Sequence, residues 1–430
     1  MPALARASEP PAKPRRIDRR RGLTPTERRR ALEVSTLEGM FATAHSALSG
    51  NGIGGNAFTS AYALLLGASN AWLGVLSALP NLATAGQSIA AYALQRVRSR
   101  RRFVVGSCLF ARNLVFLMPL LPYVLPRDAA RAAFVALFGI AAFGYQFAGN
   151  GWTSWMSDTV PSGLRGRYFS RRSNLCNLVG LVAGIAGAVA LDAYAGPSFL
   201  ASPNSIARRT FGFVFVFGAS AALGGISTWL LTTQPEPARA GEEPPIEAAP
   251  GTPSGAGEPG EVPLREFLAT PFRHPEFRKV LAFFSCFFFA NGLGNPFFNP
   301  YILEDLHRSM SFVTVLTFAT GIAGLLTLPL WGRALDRFGA KPLLAICAIA
   351  ASFHPLYYII ATPRFVAPIW ADAISSGIVW GGWNLAILDI QLTIAPEGRG
   401  REMYFAAYAG ATGLALATGS ILSGAIADMI

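Results

Sequence analysis

Polar and titratable side chains lie inside long apolar stretches of this chain, where they are costly and therefore indicate binding or proton transfer. The residues that could hydrogen-bond to or stack on a small molecule are His45, Asn51, Asn150, Trp152, Asn291, Asn295, Trp383 and Asn384. The residues that could carry a proton are Glu38, His45, Asp372 and Asp389. No lysine or arginine stands out in the middle of a stretch, which argues against a strongly anionic substrate such as a phosphate ester.

Two asparagines and a histidine of this set also have structural interpretations. Glycines beside Asn51 and Asn291 permit close helix packing, so these amides could simply hydrogen-bond between helices. His45 could be a satisfied imidazole in a core, or a group that responds to pH because an imidazole titrates near neutrality. The sequence leaves both interpretations open.

The same holds for one carboxylate and two tryptophans. Glu38 lies near the end of its apolar stretch, where a snorkelling or gate-pairing carboxylate is an alternative to a proton carrier. Trp152 and Trp383 could stack on an aromatic or cationic ligand, or they could fill volume.

Composition indicates that these residues belong to an integral membrane protein. Of 430 residues, 52% are hydrophobic and 14% are charged, and the mean hydropathy is +0.39, whereas about 25% of residues are charged in a soluble domain. The net charge of +12 could suggest nucleic acid. However, the arginines form short clusters between apolar runs that hold the aromatics, so membrane topology explains the charge and we expect no nucleic-acid partner.

Apolar runs of about 20 residues predict membrane-crossing helices. Six precede residue 233 and five follow residue 275. The predicted spans are 36–64, 70–94, 103–125, 130–156, 173–194, 210–232, 277–302, 310–331, 341–361, 365–393 and 402–428. The chain stops at Ile430, so a twelfth span is expected to be missing.

Four segments follow from these spans. Residues 1–33 form a basic tail, 34–232 a six-helix bundle, 233–275 a Pro-, Gly- and Glu-rich linker that we expect to be disordered, and 276–430 a five-span bundle. Arginines cluster in alternate connections, which places the tail and the linker in the cytoplasm. The tail could bind anionic headgroups or serve only as a flank that fixes topology.

An internal repeat relates the two bundles. Asn51-Gly52-Ile53-Gly54 recurs as Asn291-Gly292-Leu293-Gly294, 240 residues later. The pair Tyr168-Phe169 recurs as Tyr404-Phe405 at a slightly different offset. Matches at corresponding span ends, in order, predict parallel repeats.

The segment from Gly332 to Lys341, GRALDRFGAK, resembles the G-x-x-x-D-R-x-G-x-K/R signature of major facilitator superfamily transporters. The resemblance implies a conformational latch in which Asp336 is the hydrogen-bond acceptor and Arg337 is its charge partner. Gly332 and Gly339 would be tight-turn residues, and Lys341 is the basic residue that ends the motif. The first-half copy departs from the signature, because Gln95 and Arg98 replace the carboxylate and the second glycine.

The resemblance implies a fold of two six-helix-type bundles, here with six and five spans, whose first, fourth, seventh and tenth helices line a central cavity. It also implies secondary active transport of a small molecule by alternating access. The segment Trp155-Met156-Ser157-Asp158, leading to Arg165-Gly166-Arg167-Tyr168-Phe169, resembles one bacterial group, so we expect a monomer in the cell inner membrane. We expect a proton gradient to drive transport.

Other chemistries find little support in the sequence. It contains no G-x-x-x-x-G-K-[ST] phosphate loop and no nucleophile-elbow pattern. The four cysteines have no metal-ligand spacing, and we expect buried thiols and neither a metal nor a cofactor. The alternative to a transporter is a transport-silent membrane scaffold or sensor, since Gln95 replaces the first-half carboxylate and we expect a twelfth span to be missing.

Overall fold

The computed structural model of the protein describes residues 23–50, 57–87, 89–90, 97, 99–161, 164–195, 206–237, 269–394 and 401–430. These residues are almost entirely helical. The helices are α1 (Pro25–Ser49), α2 (Ala57–Leu65), α3 (Asn70–Ala85), α4 (Arg100–Leu117), α5 (Leu121–Val124), α6 (Arg127–Thr159), α7 (Arg165–Ala195), α8 (Ile206–Thr233), α9 (Pro275–Gly294), α10 (Phe298–Glu304), α11 (Met310–Phe338), α12 (Ala340–Ser352), α13 (His354–Ile360), α14 (Ala367–Ile394) and α15 (Arg401–Ala427).

Local sequence explains where these helices begin and end. α1 begins with a capping box, in which the Thr24 side chain accepts from the Glu27 amide while the Glu27 carboxylate accepts from the Thr24 amide. α11 and α12 are separated by Gly339, whose φ of 79° suits glycine. Gly332 lies inside α11, so its predicted place in a tight turn is wrong.

Membrane-crossing length is met by most of the predicted spans. Among the described residues, nine helical segments are long and apolar enough to cross a bilayer. They correspond to the third through eleventh predicted spans. The first two predicted spans contain α1, α2 and α3, together with residues outside the described part of the chain.

The helices form two bundles whose contacts follow the repeat. In the first bundle α1 packs on α7, and in the second the equivalent α9 packs on α15. Likewise α4 packs on α6, as α12 packs on α14. Between the bundles, α3 packs against α15 and α7 against α11. An all-helical membrane fold with two repeat-related bundles is therefore confirmed.

The bundles are joined at one end of the molecule. We call the end at which Arg100, Arg165 and Arg337 lie the basic end, and the opposite end, with Asp192 and Asp428, the far end. At the far end one apolar core runs through both bundles, and its members include Phe134, Phe217, Met310 and Ala361. Toward the basic end each described core cluster comes from a single bundle.

The first residues of the predicted linker pack on the first bundle. Gln234 is fully buried, and the Trp155 indole donates to the Pro235 carbonyl oxygen at 3.2 Å. The Glu236 carboxylate accepts from the Arg100 amide at 2.7 Å and from the Ser99 hydroxyl at 2.7 Å, which caps the start of α4. Residues 238–268 of the predicted disordered segment lie outside the described residues.

Candidate functional site

A buried charge cluster lies between α1, α4 and α7 in the first bundle. The Glu38 carboxylate is 4% exposed and lies 3.6 Å from the Arg112 guanidinium and 3.4 Å from that of Arg172. The Ser227 hydroxyl donates to the same carboxylate at 2.7 Å. Glu38 is thus a paired buried carboxylate rather than one that snorkels to a surface.

Arg112 corrects an expectation from the sequence. It lies in the middle of the third span, is 6% exposed, and donates to the Thr228 hydroxyl at 2.7 Å and to the Gly224 carbonyl at 3.2 Å. The statement that no arginine stands out in mid-span was therefore wrong. Glu38 contacts both Arg112 and Arg172, so two positive charges share one carboxylate.

The Arg172 side chain lies against Gly39 of α1 and stacks on Trp152, which the sequence predicts to bind a ligand. Its guanidinium carbon lies 4.3 Å from the centre of the Trp152 ring, within cation–π range. A Cβ at Gly39 would collide with this guanidinium. The half-buried Trp152 therefore packs on a side chain of its own bundle, and its indole nitrogen has no partner among the described residues.

His45 is completely buried between α6 and α8. Its Nδ1 lies 2.8 Å from the Ser220 carbonyl oxygen, and its Nε2 is hydrogen-bonded to the Tyr145 hydroxyl. If Nδ1–H donates to the carbonyl, Nε2 accepts from Tyr145. Both ring nitrogens are satisfied, as the core-imidazole interpretation requires.

Two predicted amides make contacts between helices. The Asn150 side chain donates to the Gln87 carbonyl at 3.3 Å within the first bundle. The Asn295 side chain donates to the Ser77 hydroxyl at 2.9 Å and so joins the two bundles. Asn291 is half-buried near Asn295 in sequence, and Asn51 lies outside the described residues.

Trp383 lies in the core of the second bundle. It is fully buried, stacks on Phe287 at 4.0 Å between ring centres, and meets Phe284 edge to face at 5.7 Å. This is the volume-filling arrangement. Asn384 and Asp389 on the same helix are exposed, so the helix turns these polar groups away from its core.

A second polar cluster surrounds Asp372, near the far end of the second bundle. Asp372 is 9% exposed, and it accepts from the Tyr358 hydroxyl at 3.2 Å and from the Ser376 hydroxyl at 3.4 Å. Ser376 also contacts His354 Nδ1 at 3.3 Å, while the buried His354 Nε2 has no hydrogen-bond partner within the described ranges. Asp372 pairs with no cation among the described residues.

Sequence reasoning did not find His354 or Tyr358. From α13, Tyr358 donates to Asp372 and His354 contacts Ser376. The Phe298 ring of α10 lies 4.6 Å from that of Tyr358. One signal in the sequence was available, since a histidine within an apolar span indicates an interior position.

Among the described residues, the predicted latch has no partner for its carboxylate. Asp336 is exposed and makes no hydrogen bond or ion pair with another described residue. Arg337 packs over the neighbouring Phe338 ring at 5.2 Å, and Lys341 is exposed. The motif lies at the basic end, where the core clusters of the two bundles are separate.

Metal ligands and thiols give no further site. No group of three or more His, Cys, Asp or Glu side chains comes together among the described residues. Cys108, Cys176 and Cys347 are buried, whereas Cys286 is exposed, so the expectation of burial was wrong for that cysteine.

Comparisons with known proteins give one family match and several similar folds. The profile of the Major Facilitator Superfamily matches residues 280–430. No curated protein sequence gives a significant match.

Solved transporters share the fold along nearly the whole chain. A mutant form of the nucleoside transporter NupG has a TM-score of 0.65 at 14% identity and covers 92% of each chain. A bacterial homologue of the human lysosomal transporter Spinster has a TM-score of 0.63 at 15% identity, over 94% of this chain and 82% of that chain. The E. coli xylose transporter XylE has a TM-score of 0.58 at 17% identity, over 94% of this chain and 90% of that chain.

At these identities the likeness to solved structures shows the fold alone, and the family match covers the second half. The matched segment, residues 280–430, contains the signature at Gly332–Lys341, and this confirms the resemblance to the Major Facilitator Superfamily for that part of the chain.

Proposed function

We propose that this protein is a secondary transporter that carries a small molecule across the bacterial inner membrane by alternating access. One observation carries the proposal. The two bundles share a continuous apolar core at the far end, while the core clusters toward the basic end each belong to one bundle. Two bundles that share a core at one end and have separate cores toward the other can rock about a central site.

The direction of opening follows from the charge distribution. Arginine-rich connections favour the cytoplasmic side, so we place the basic end and the 233–275 linker in the cytoplasm. The lack of a partner for Asp336 among the described residues of that end supports a conformation open to the cytoplasm. A Gly-, Pro- and Glu-rich linker between residues 34–232 and 276–430 is long enough to permit the motion.

Asp372 is the proton carrier we propose. A buried carboxylate without a cation is costly unless it binds a proton, and Asp372 has only hydroxyl partners among the described residues. Its neighbours Ser376 and His354 extend the hydrogen-bonded chain. Glu38 and His45 are less suited, because Glu38 is neutralised by two arginines and both nitrogens of His45 are engaged.

Uptake into proteoliposomes under an imposed proton gradient tests the function. The panel includes nucleosides and pentoses, because structures of similar fold carry the names of nucleoside and xylose transporters, together with organic acids and hydrophobic cations. We expect accumulation of one class, which Asp372→Asn abolishes while exchange of that solute across the membrane persists. Asp389→Asn, an exposed carboxylate on the same helix, is the matched control and should keep wild-type accumulation.

Two outcomes would contradict the proposal. Gradient-driven accumulation that survives in Asp372→Asn would exclude Asp372 as the carrier. No uptake or exchange of any class by folded protein would favour the alternative, a transport-silent scaffold or sensor, over the transporter.

A further inference from the structure

Two carboxylates at the far end each cap a helix of the opposite bundle. On α7 of the first bundle, Asp192 accepts from the Met310 amide at 2.9 Å and from the Ser311 amide at 2.9 Å, at the start of α11. Immediately after α15 of the second bundle, Asp428 accepts from the Asn70 amide at 2.8 Å and from the Ala71 amide at 3.0 Å, at the start of α3. Each carboxylate uses both oxygens.

The two contacts are related by the internal repeat. The acceptors Asp192 and Asp428 are 236 positions apart, which is the offset that superposes Tyr168-Phe169 on Tyr404-Phe405. The donors at 70–71 and 310–311 are 240 positions apart, the offset that superposes the two Asn-Gly motifs. The first bundle thus supplies the carboxylate at one contact and the helix start at the other, and the second bundle does the reverse.

The helix starts are built to receive a carboxylate. The first amides of a helix have no partner within the helix and carry partial positive charge. Ser69 precedes α3 with extended backbone but makes no side-chain cap to α3 itself, so the Asp428 carboxylate supplies the cap from the other bundle. Bonds from main-chain amides to a carboxylate are charge-assisted and are stronger than neutral ones.

We propose that Asp192 and Asp428 are a symmetric pair of gate clamps that hold the far end closed and release when that end opens. The inference rests on the alternating-access function proposed above. When the bundles separate at the far end, both carboxylates leave their helix starts at once, and water must replace the four bonds from main-chain amides. The clamps therefore set the equilibrium between the far-end-closed and far-end-open conformations without touching substrate.

The arrangement also complements the predicted latch. Asp336 lies at the basic end and is unpaired with other described residues when the far-end clamps are made. We infer that the carboxylates at the two ends are engaged alternately. Removing the Asp192 and Asp428 carboxylates should therefore favour the far-end-open conformation, whereas removing the Asp336 carboxylate should favour the far-end-closed one.

Distance measurements between spin labels in lipid nanodiscs test the clamps. Labels at Asp128→Cys and Arg364→Cys report on the far end, since both positions are exposed and lie on different bundles. Cys286→Ser provides the background, because Cys286 is the exposed native thiol. We expect Asp192→Asn and Asp428→Asn each to raise the open-to-closed ratio about tenfold, and the double variant by more, because each removes charge from a capped helix start.

A control and a backbone variant separate the clamp from general effects. Asp305→Asn removes an exposed carboxylate of the same end that has no part in the clamps, and it should leave the distances unchanged. Asn70→Pro removes one amide donor at the first position of α3, where proline is tolerated, and the Ser69 backbone that precedes it is already extended. It should open the far end with both carboxylates intact.

Each outcome decides the inference. If the wild type shows far-end-open molecules and the clamp variants leave their fraction unchanged, the clamps are refuted while alternating access stands. If no condition or variant, Asp336→Asn included, populates any second conformation, the proposed function itself fails. A shift in Asp305→Asn equal to that in Asp428→Asn would reduce the effect to net charge and overturn the clamps.

Discussion

Replacing Glu38 by glutamine should destabilise the first bundle strongly. Glu38 is 4% exposed and is the carboxylate that both Arg112 and Arg172 contact. The amide keeps the volume and can still bond to Ser227, but it leaves two guanidinium groups without their charge partner. Removing one member of a buried ion pair costs about 3–5 kcal/mol. For a unit of about 200 residues this corresponds to a fall in Tm of roughly 6–20 °C.

Thermal unfolding of detergent-purified protein measures this change. The matched control is Glu33→Gln on the same helix, because Glu33 pairs with Arg29 on the surface, where both side chains are more than half exposed. That exposed pair should be worth less than about 1 kcal/mol. A further variant in which Glu38, Arg112 and Arg172 are all replaced by apolar residues should recover much of the lost stability. A fall in Tm for Glu38→Gln no larger than for Glu33→Gln would refute the reasoning.

Three further predictions concern packing and pH. Gly39→Val should displace the Arg172 guanidinium that lies against α1 and lower the free energy of unfolding by about 1–3 kcal/mol, as measured by thermal unfolding. Gly149→Ala is the control and should not lower the stability, because a Cβ at this position meets open space. Gly424→Leu should wedge α15 from the start of α3 and lengthen the far-end label distance; an unchanged distance would contradict this. A hydrogen bond from the Ser69 hydroxyl, and to a smaller extent one from the Ala71 amide, holds the pKa of Asp428 below its ordinary value. This clamp therefore favours closure above about pH 4. Its contribution is lost as the pH falls through the lowered pKa. The far-end distance should therefore lengthen on acidification by more in wild type than in Asp428→Asn.

The fold could be predicted because it depends on averages over many residues. Span length, hydropathy and the position of charged connections are properties of whole segments, and the repeat fixed which helices correspond. The same averaging hid Arg112, because one arginine barely changes the mean hydropathy of a 23-residue span. The burial of Arg112 is explained by its charge partner Glu38, which lies 3.6 Å away.

Side-chain direction could not be predicted for helices that are apolar on every face. Trp383 and Asn384 are neighbours on α14, yet one is fully buried among phenylalanines and the other is exposed. A helix whose sides face lipid, a bundle core and a partner bundle has no polar stripe to mark its orientation. The described members of the predicted cavity set therefore lie in different surroundings, such as a bundle core for Trp383, an inter-bundle contact for Asn295 and an exposed position for Asn384.

The clamp aspartates were missed for a different reason. Charged residues at span ends are common, so Asp192 and Asp428 carry no signal individually. Their equivalence under the repeat was present in the sequence, at the offset that relates Tyr168 to Tyr404. Only the structure shows that each meets the helix start of the opposite bundle.

Reciprocal motion of the two ends is the most direct test of the account. A second label pair, at Arg102 and Lys279, reports on the basic end, where both residues are exposed on different bundles. The measurement compares both distances in wild type and in the Asp192→Asn/Asp428→Asn double variant in nanodiscs. Alternating access predicts that the far-end distance lengthens while the basic-end distance shortens in the same sample. A far end that opens while the basic-end distance stays fixed would contradict the account.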